Sequence, residues 1–282
     1  MGPDDVVREL RQMPSTPKVL PRLLEILRDD HASIEDVVAL IKVDAGMAAR
    51  VLQIANSAYY SGGNDSRAPT MDEAVYRVGL VKVYELVAFA ATSQLLMRTL
   101  KVYNLDPDQM WQRAVTCAMA AERLAARLDG DFNVAYTCGL LHNLGLVAID
   151  GWAAATNSSV RLRMDPVPSE STDAEKRQLG FTNASVAGAL LRSWGFPSSI
   201  VEPIRWQYSP GYAGKHQRMA AILHAAKWLR DAVHIENPDE RPEAPEPALL
   251  KMIPCAREDL DEMLFDIKAA YDRACLLLAP AA

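Results

Sequence analysis

The stretch from 133 to 149, NVAYTCGLLHNLGLVAI, decides the fold class of this chain. It has almost no polar side, which is typical of a helix buried on all faces in the centre of a body. His142 stands in the middle of the run. A buried histidine normally donates from one ring nitrogen and accepts at the other. The segment therefore predicts a central helix that carries a core histidine.

Helical periodicity extends outward from this segment in both directions. Apolar residues recur at spacings of three and four, and alternating β-branched runs are nearly absent. The predicted fold class is all-α, with an N-terminal helical bundle packed on a second helical bundle. The predicted boundaries are 1–100 for the first subdomain, 101–235 for the second, 236–247 for an acidic proline-rich linker and 248–282 for a C-terminal helix.

Local signals mark individual helices and loops. Ser33 precedes a short helix with an acidic first turn, and Pro107 suits the first turn of a longer one. Between Gly151 and Thr172 the periodicity dissolves into small, polar and proline residues, which predicts a long loop. One apolar stripe predicts that the last helix, from about 257 to 278, docks on the body or on a second copy: Leu260, Met263, Leu264 and Ile267.

Composition excludes several classes of protein. Half of the 282 residues are hydrophobic and the net charge is −6, so no overall positive field favours nucleic acid or an anionic membrane. The four cysteines form no CxxC pair and are interpreted as reduced core thiols. The N-terminus lacks an apolar core segment, and no run of about 18 apolar residues stands out. We expect a cytoplasmic protein without a membrane span.

Several segments, taken in order, resemble the HDOD (HD-related output domain) family, whose members are relatives of the HD phosphohydrolases. They are MPSTPKVLPRLLEIL (13–27), IKVDAGMAARVLQIANSAYY (41–60), TMDEAVYRVGL (70–80), and LLHNLG (140–145) with the stretch 175–204. Each segment taken alone could also occur in an unrelated helical bundle. Asn56 and Ser57, taken individually, are typical of a helix end. The ordered set is specific and covers about 13–232. The resemblance implies that the second bundle is a degenerate HD-like bundle.

The resemblance also implies that the hydrolase chemistry is lost. HD hydrolases need histidines and aspartates that converge on divalent cations and activate a water. Here the corresponding positions hold Arg113, His142, Asn143, Asn183, Gln207, Tyr208 and Lys227. Of these, His142 alone keeps the metal-binding side chain that the family pattern requires. We therefore expect no enzyme activity, no metal and no cofactor.

What the resemblance implies for function is a bacterial pseudoenzyme: a non-catalytic signal-transduction module that regulates through protein interaction. Its partners would be signalling proteins, with a cyclic dinucleotide pathway as the family context, and self-association stays open. One alternative is a nucleotide or phosphate sensor that uses the seven positions above as a ligand site. The other is a metal-dependent phosphohydrolase with unrecognised ligands.

Two of the replaced positions, Arg113 and Lys227, carry fixed positive charges. Either they hold a phosphate beside His142, or they turn outward to solvent or pair with neighbouring acids. His224, one turn before Lys227, could approach the same cavity, but a structural role is sufficient for it.

Overall fold

A computed structural model describes residues 2–10, 19–27, 29, 33–43, 45–56, 68, 70–156, 159–162 and 168–278. Within these ranges the chain forms α-helices and short 3-10 helices, and no β-strand is present apart from an isolated bridge between Leu100 and Leu105. The predicted all-α class is confirmed.

The helices of the described residues follow one another along the chain in this order. The α-helices are α1 (Pro3–Glu9), α2 (Val19–Leu27), α3 (Ile34–Lys42), α4 (Ala45–Ala55), α5 (Met71–Val78), α6 (Leu80–Leu96), α7 (Pro107–Arg127), α8 (Phe132–Leu141), α9 (Leu144–Ala155), α10 (Pro168–Leu179), α11 (Asn183–Ser193), α12 (Ser198–Arg205), α13 (Gln217–Ala232), α14 (Pro247–Leu250) and α15 (Arg257–Leu278). The 3-10 helices are Pro210–Tyr212, Gly214–His216 and Pro238–Glu240.

The chain divides into two compact units. The larger contains residues 1–16 and 94–269, and the smaller contains 17–93 and 270–282. This division differs from the predicted boundary at residue 100 because α1 belongs to the larger unit. Val6 is fully buried there, α1 packs on α9 and α11, and the indole of Trp152 donates to Glu9 at 2.9 Å. A helix of seven residues has too short a periodic pattern to be recognised from sequence.

The smaller unit is built from α2 to α5 and most of α6. The predicted apolar face of α2 is buried, and the Ser33 hydroxyl accepts from the Asp36 amide as the predicted cap of α3. The side chain of Asn56 accepts from the Ala68 amide at 2.6 Å and donates to its carbonyl at 3.2 Å. Asn56 therefore has the structural role that its position at a helix end suggests. Ser57 and His31 lie outside the described residues.

The core of the larger unit depends on two close helix contacts made by glycines. A Cβ on Gly139 of α8 would lie 2.6 Å from the Ala118 Cα of α7. A Cβ on Gly145 of α9 would lie 1.8 Å from the Asn183 carbonyl oxygen at the start of α11. Because these positions have no side chain, the helices approach closely enough to bring His142 and Asn183 into the same buried region.

The central segment is not a single helix, contrary to the prediction. It forms α8 and α9, which meet at His142 and Asn143, and both helices are buried almost throughout. Taken together, 132–155 has the length and apolar composition of a membrane span, but most of it is buried within the protein. The predicted loop from Gly151 to Thr172 is also shorter than expected, because α9 continues to Ala155 and α10 begins at Pro168.

The C-terminal part of the larger unit contains the acidic segment 236–247 and the start of α15. Residues 236–240 are exposed as predicted, but Pro245 is buried and the Trp228 indole donates to the Pro242 carbonyl at 3.0 Å. The segment is therefore partly packed on α13. The predicted stripe of α15, Leu260, Met263, Leu264 and Ile267, is buried, and Arg127 forms ion pairs with Asp259 and Glu262. The predicted docking of this helix on the body is confirmed.

Candidate functional site

His142 lies at the centre of the site, in the turn between α8 and α9. Its Nδ1 is 2.5 Å from the Gly139 carbonyl oxygen, and its Nε2 is 2.7 Å from Nη1 of Arg230. A guanidinium can only donate, so Nε2 is the acceptor and the proton of the ring is on Nδ1. Burial, followed by the charge of Arg230, holds the pKa of His142 well below 6.5. The imidazole is therefore neutral, and both its nitrogens are already engaged.

Arg230 on α13 is held by its neighbour Asp231. Arg230 is 4% exposed and donates from Nε and Nη2 to the two carboxylate oxygens at 2.8 and 2.5 Å. Arg113 of α7 reaches the same carboxylate at 3.5 Å. Burial acts to raise the pKa of Asp231, but the two guanidiniums outweigh it and hold the pKa below 3.8. Burial lowers the pKa of Arg113 to about 10, so it remains charged at neutral pH.

Lys227 is buried rather than turned outward. It is 4% exposed, and its Nζ lies 3.4 Å from the centre of the Tyr208 ring, a cation–π contact. Burial and the nearby Arg230 lower the pKa of Lys227 well below 10.5. For Arg113, the expectation of pairing with a neighbouring acid is met, because its guanidinium lies 3.5 Å from the carboxylate of Asp231.

A polar network closes the other side of the site. Glu175 of α10 is 1% exposed and accepts from the backbone and side-chain amides of Asn183 at 2.7 and 3.0 Å, and from the Tyr103 hydroxyl at 2.8 Å. The Asn183 amide also donates to the Tyr208 hydroxyl at 3.2 Å. Burial raises the pKa of Glu175 despite these hydrogen bonds. The network fixes Asn183 and Tyr208 in place.

The seven predicted site positions are thus brought together in the larger unit. Gln207 completes the set by donating from Nε2 to the His142 carbonyl at 3.1 Å. Sequence reasoning missed four residues that shape the site: Arg230, Asp231, Glu175 and Tyr103. A signal for the first two was present, because they follow Lys227 by three and four residues and so share its helix face.

Four buried polar atoms of the site have no hydrogen-bond partner among the residues that the structure describes. They are Arg113 Nε, Asn143 Nδ2, Lys227 Nζ and Gln207 Oε1. Three of these atoms are donors and one is an acceptor. Such atoms in a folded protein require an explanation, because leaving a buried polar group unpaired costs free energy.

The residues of this site do not fit a divalent metal ion. Among the described residues, no group of three or more histidine, cysteine, aspartate or glutamate side chains is placed to hold one. Nε2 of His142 is already bound to Arg230, and Asp231 is bound to two guanidiniums. The charges of Arg113 and Arg230 would also repel a metal cation.

A pocket of about 300 Å³ adjoins the site at Tyr208. Its lining includes His224, Tyr212, Leu249 and Met252. His224 Nδ1 is 2.9 Å from the Gln207 carbonyl oxygen, so this histidine has a structural hydrogen bond. Burial and the charge of Lys227 lower the pKa of His224 to about 4. Tyr208 therefore separates an open pocket from the buried cations.

Comparison with known proteins shows which family and which solved structures this chain is similar to. The sequence profile of the HDOD domain matches residues 13–210. An uncharacterized protein from Treponema pallidum (strain Nichols) is 27% identical over 216 residues, which are 74% of this chain and 39% of that protein. The chain therefore spans less than half the length of this curated relative.

Solved structures share the fold over nearly the whole chain. A candidate signal transduction protein from Marinobacter aquaeolei VT8 is 25% identical, with a TM-score of 0.74 over 95% of this chain and 60% of that one. A candidate phosphohydrolase from Shewanella amazonensis SB2B is 25% identical, with a TM-score of 0.68 over 97% and 98%. An HDOD domain protein of unknown function from Geobacter sulfurreducens is 22% identical, with a TM-score of 0.71 over 98% of each chain.

Proposed function

The chain belongs to the HDOD family, and from this premise we propose that it is a non-catalytic signalling module that acts by binding other signalling proteins. The observation that carries the proposal is the contact between the Arg230 guanidinium and Nε2 of His142. The one histidine kept from the hydrolase pattern is thus bound to an arginine, at the atom with which it would bind a metal.

The charge of the site argues against metal-dependent hydrolysis. A water-activating centre needs a divalent cation among several anionic or neutral donors. Here a cation would meet the charges of Arg113 and Arg230, with Asp231 already paired. Two like unit charges about 4 Å apart repel by about 4 kcal/mol at an effective dielectric constant of about 20. A doubly charged ion would experience roughly twice that repulsion from each side chain.

The signalling part of the proposal is supported by family membership and by the Marinobacter protein, which is named for signal transduction. Binding partners would be other proteins of the same signalling system, with cyclic dinucleotide signalling as the first context to examine. The Shewanella protein is named for phosphohydrolase activity, and that activity is the rival function. It would require ligands that the described residues of this chain do not bring together.

The proposal is tested by separate measurements of catalysis and of binding. The purified protein is assayed with Mn²⁺ and with Mg²⁺ against a generic phosphodiester and a cyclic dinucleotide, beside the His142→Ala variant. We expect no turnover and no stoichiometric metal by elemental analysis. Turnover that His142→Ala abolishes would refute the non-catalytic proposal.

The binding half needs a defined partner. Affinity capture from the native host is followed by reconstitution of the complex from purified components. We expect a signalling protein that binds the wild type and also His142→Ala, because recognition would use the surface. If no captured protein rebinds in purified form, the interaction half of the proposal is wrong.

A further inference from the structure

We propose that the cluster of the buried Lys227 and Arg230 with the partly buried Arg113 binds an oxyanion of phosphate size, either free or as the phosphoryl group of a larger ligand. This inference deepens the proposed function, and it rests on that function in one respect: the bound phosphoryl group is held and not hydrolysed. The cluster would then make the signalling module responsive to a ligand at the position of the former metal site.

The first argument is the balance of charge. The guanidiniums of Arg113 and Arg230 carry two positive charges, and Asp231 is the acid paired with both among the described residues. Lys227 adds a third basic group, whose pKa is lowered by burial and by Arg230. Glu175, the other acid nearby, is occupied by Asn183 and Tyr103. His142 and His224 are uncharged because burial and the neighbouring cations lower their pKa. Cys117 and Tyr208 are uncharged because burial raises their pKa to about 11 and about 12 and outweighs the opposite effect of the cations. A buried excess of positive charge is stabilised by a bound anion.

The second argument is the hydrogen-bond inventory. The unpaired donors are Nε of Arg113, Nδ2 of Asn143 and Nζ of Lys227, and the single unpaired acceptor is Oε1 of Gln207. A phosphate offers several acceptor oxygens, and in its monoprotonated form it also offers one O–H donor. The set of unpaired atoms therefore matches an oxyanion better than a cation or an apolar group.

A chain of contacts that begins at His142 connects the residues that carry these atoms. Arg230 binds its Nε2, Gln207 binds its carbonyl oxygen, and Asn143 follows it in the chain. Arg113 shares Asp231 with Arg230, and Lys227 precedes Arg230 by one helical turn. Arginine supplies a planar fork for an oxyanion and lysine adds a point charge.

The pocket beside Tyr208 offers a route for a larger ligand. The Tyr208 ring contacts Lys227 on the side of the cluster and also lines the pocket of about 300 Å³. To reach the cluster from this pocket, a ligand would have to displace the Tyr208 ring and break the hydrogen bonds between its hydroxyl and Asn183. A nucleotide could then place its base in the pocket, against Tyr212, and its phosphate at Lys227.

The test measures anion binding by titration calorimetry and by thermal unfolding. Sodium phosphate and sulfate are compared with chloride at equal ionic strength. Phosphate at about five times its Kd should raise the Tm of the wild type by about 2–4 °C. Lys227→Met should weaken phosphate binding at least tenfold. Lys215→Met, at an exposed lysine near the start of the same helix, is the matched control and should bind as the wild type does.

Lys227→Met has a second expected effect that a general loss of folding would not produce. In phosphate-free buffer its Tm should equal or exceed that of the wild type, because the variant removes a buried polar nitrogen that has no hydrogen-bond partner among the described residues. If this variant is insoluble, Arg113→Gln replaces it, since the Arg113 side chain is 22% exposed and its loss is easier to accommodate. The expected weakening of phosphate binding is again at least tenfold.

The outcomes separate the inference from the proposed function. A nucleoside monophosphate that binds at least tenfold more tightly than phosphate, and depends on Lys227, assigns the site to a phosphoryl group of a larger ligand. Equal affinities assign it to the free anion. The absence of an effect beyond that of chloride, or an unchanged effect in Lys227→Met, overturns the inference and leaves the proposed function intact. Hydrolysis of the nucleotide overturns the proposed function instead.

Discussion

The carboxylate of Asp231 provides the sharpest test of how the buried cations are held. It accepts two hydrogen bonds from Arg230, at 2.8 and 2.5 Å, and lies 3.5 Å from Arg113. Asp231→Asn keeps the shape but removes the charge and turns an NH₂ group toward guanidinium donors. Hydrogen bonds to charged groups contribute about 1.5–3 kcal/mol each, and breaking one partner of a buried ion pair costs about 3–5 kcal/mol. We expect the free energy of unfolding to fall by about 3–5 kcal/mol.

Urea unfolding at pH 7, followed by circular dichroism, measures this loss as a lower midpoint at unchanged slope. Asp239→Asn, on an exposed 3-10 helix, is the matched control and should change stability by less than about 0.5 kcal/mol. Adding Lys227→Met to Asp231→Asn removes one of the repelling cations and should restore about 1 kcal/mol or more. A loss below about 1 kcal/mol for Asp231→Asn alone would refute the reasoning that this carboxylate neutralises the buried guanidiniums.

Two further perturbations test the neighbourhood of the site. Lowering the pH from 6.5 to 4 should destabilise the wild type by about 3 kcal/mol more than His224→Gln, because the unfolded chain binds a proton at His224 that the folded chain, with a pKa of about 4, does not. Urea unfolding across this pH range measures the difference, and equal acid sensitivity would contradict it. Gly145→Ala should lower the free energy of unfolding by about 3 kcal/mol, since its Cβ would lie 1.8 Å from the Asn183 carbonyl oxygen. Gly151→Ala is the control, because its Cβ would meet a flexible Leu10 side chain at 3.2 Å, and it should lower the free energy of unfolding by less than about 1 kcal/mol. Similar losses of stability in the two variants would argue against the close contact of α9 and α11.

Local signals predicted most of the helices. Helix α7 begins at Pro107 with Asp106 as its cap, and α15 spans 257–278, as the periodicity indicates. The break between α8 and α9 carries no proline, and the His142–Asn143 turn lies inside an unbroken apolar run. That break arises from packing within the larger unit. The periodicity of a single segment carries no information about such packing.

The sequence indicated seven positions that the structure brings together, but it did not indicate their contacts or the other residues around them. The family resemblance supplied the seven positions, since it aligns segments that are far apart in the chain. The spacing of Arg230 and Asp231 from Lys227 indicates a common helix face, but it does not indicate that the two adjacent side chains pair with each other. Tyr103 and Glu175 are separated by 72 residues, and no local pattern connects a hydroxyl and a carboxylate over that distance.

The larger unit includes residues on both sides of the range that the HDOD family profile matches. The match covers 13–210, whereas α1 begins at Pro3 and α13 extends to Ala232. A recombinant fragment trimmed to 13–210 would lack Lys227, Arg230 and Asp231. Nε2 of His142 would then lose its hydrogen-bond donor, the guanidinium of Arg230. Such a fragment would also lose the helix that covers Trp152. Crystallisation and ligand screening of this domain should therefore use fragments that keep both flanking helices.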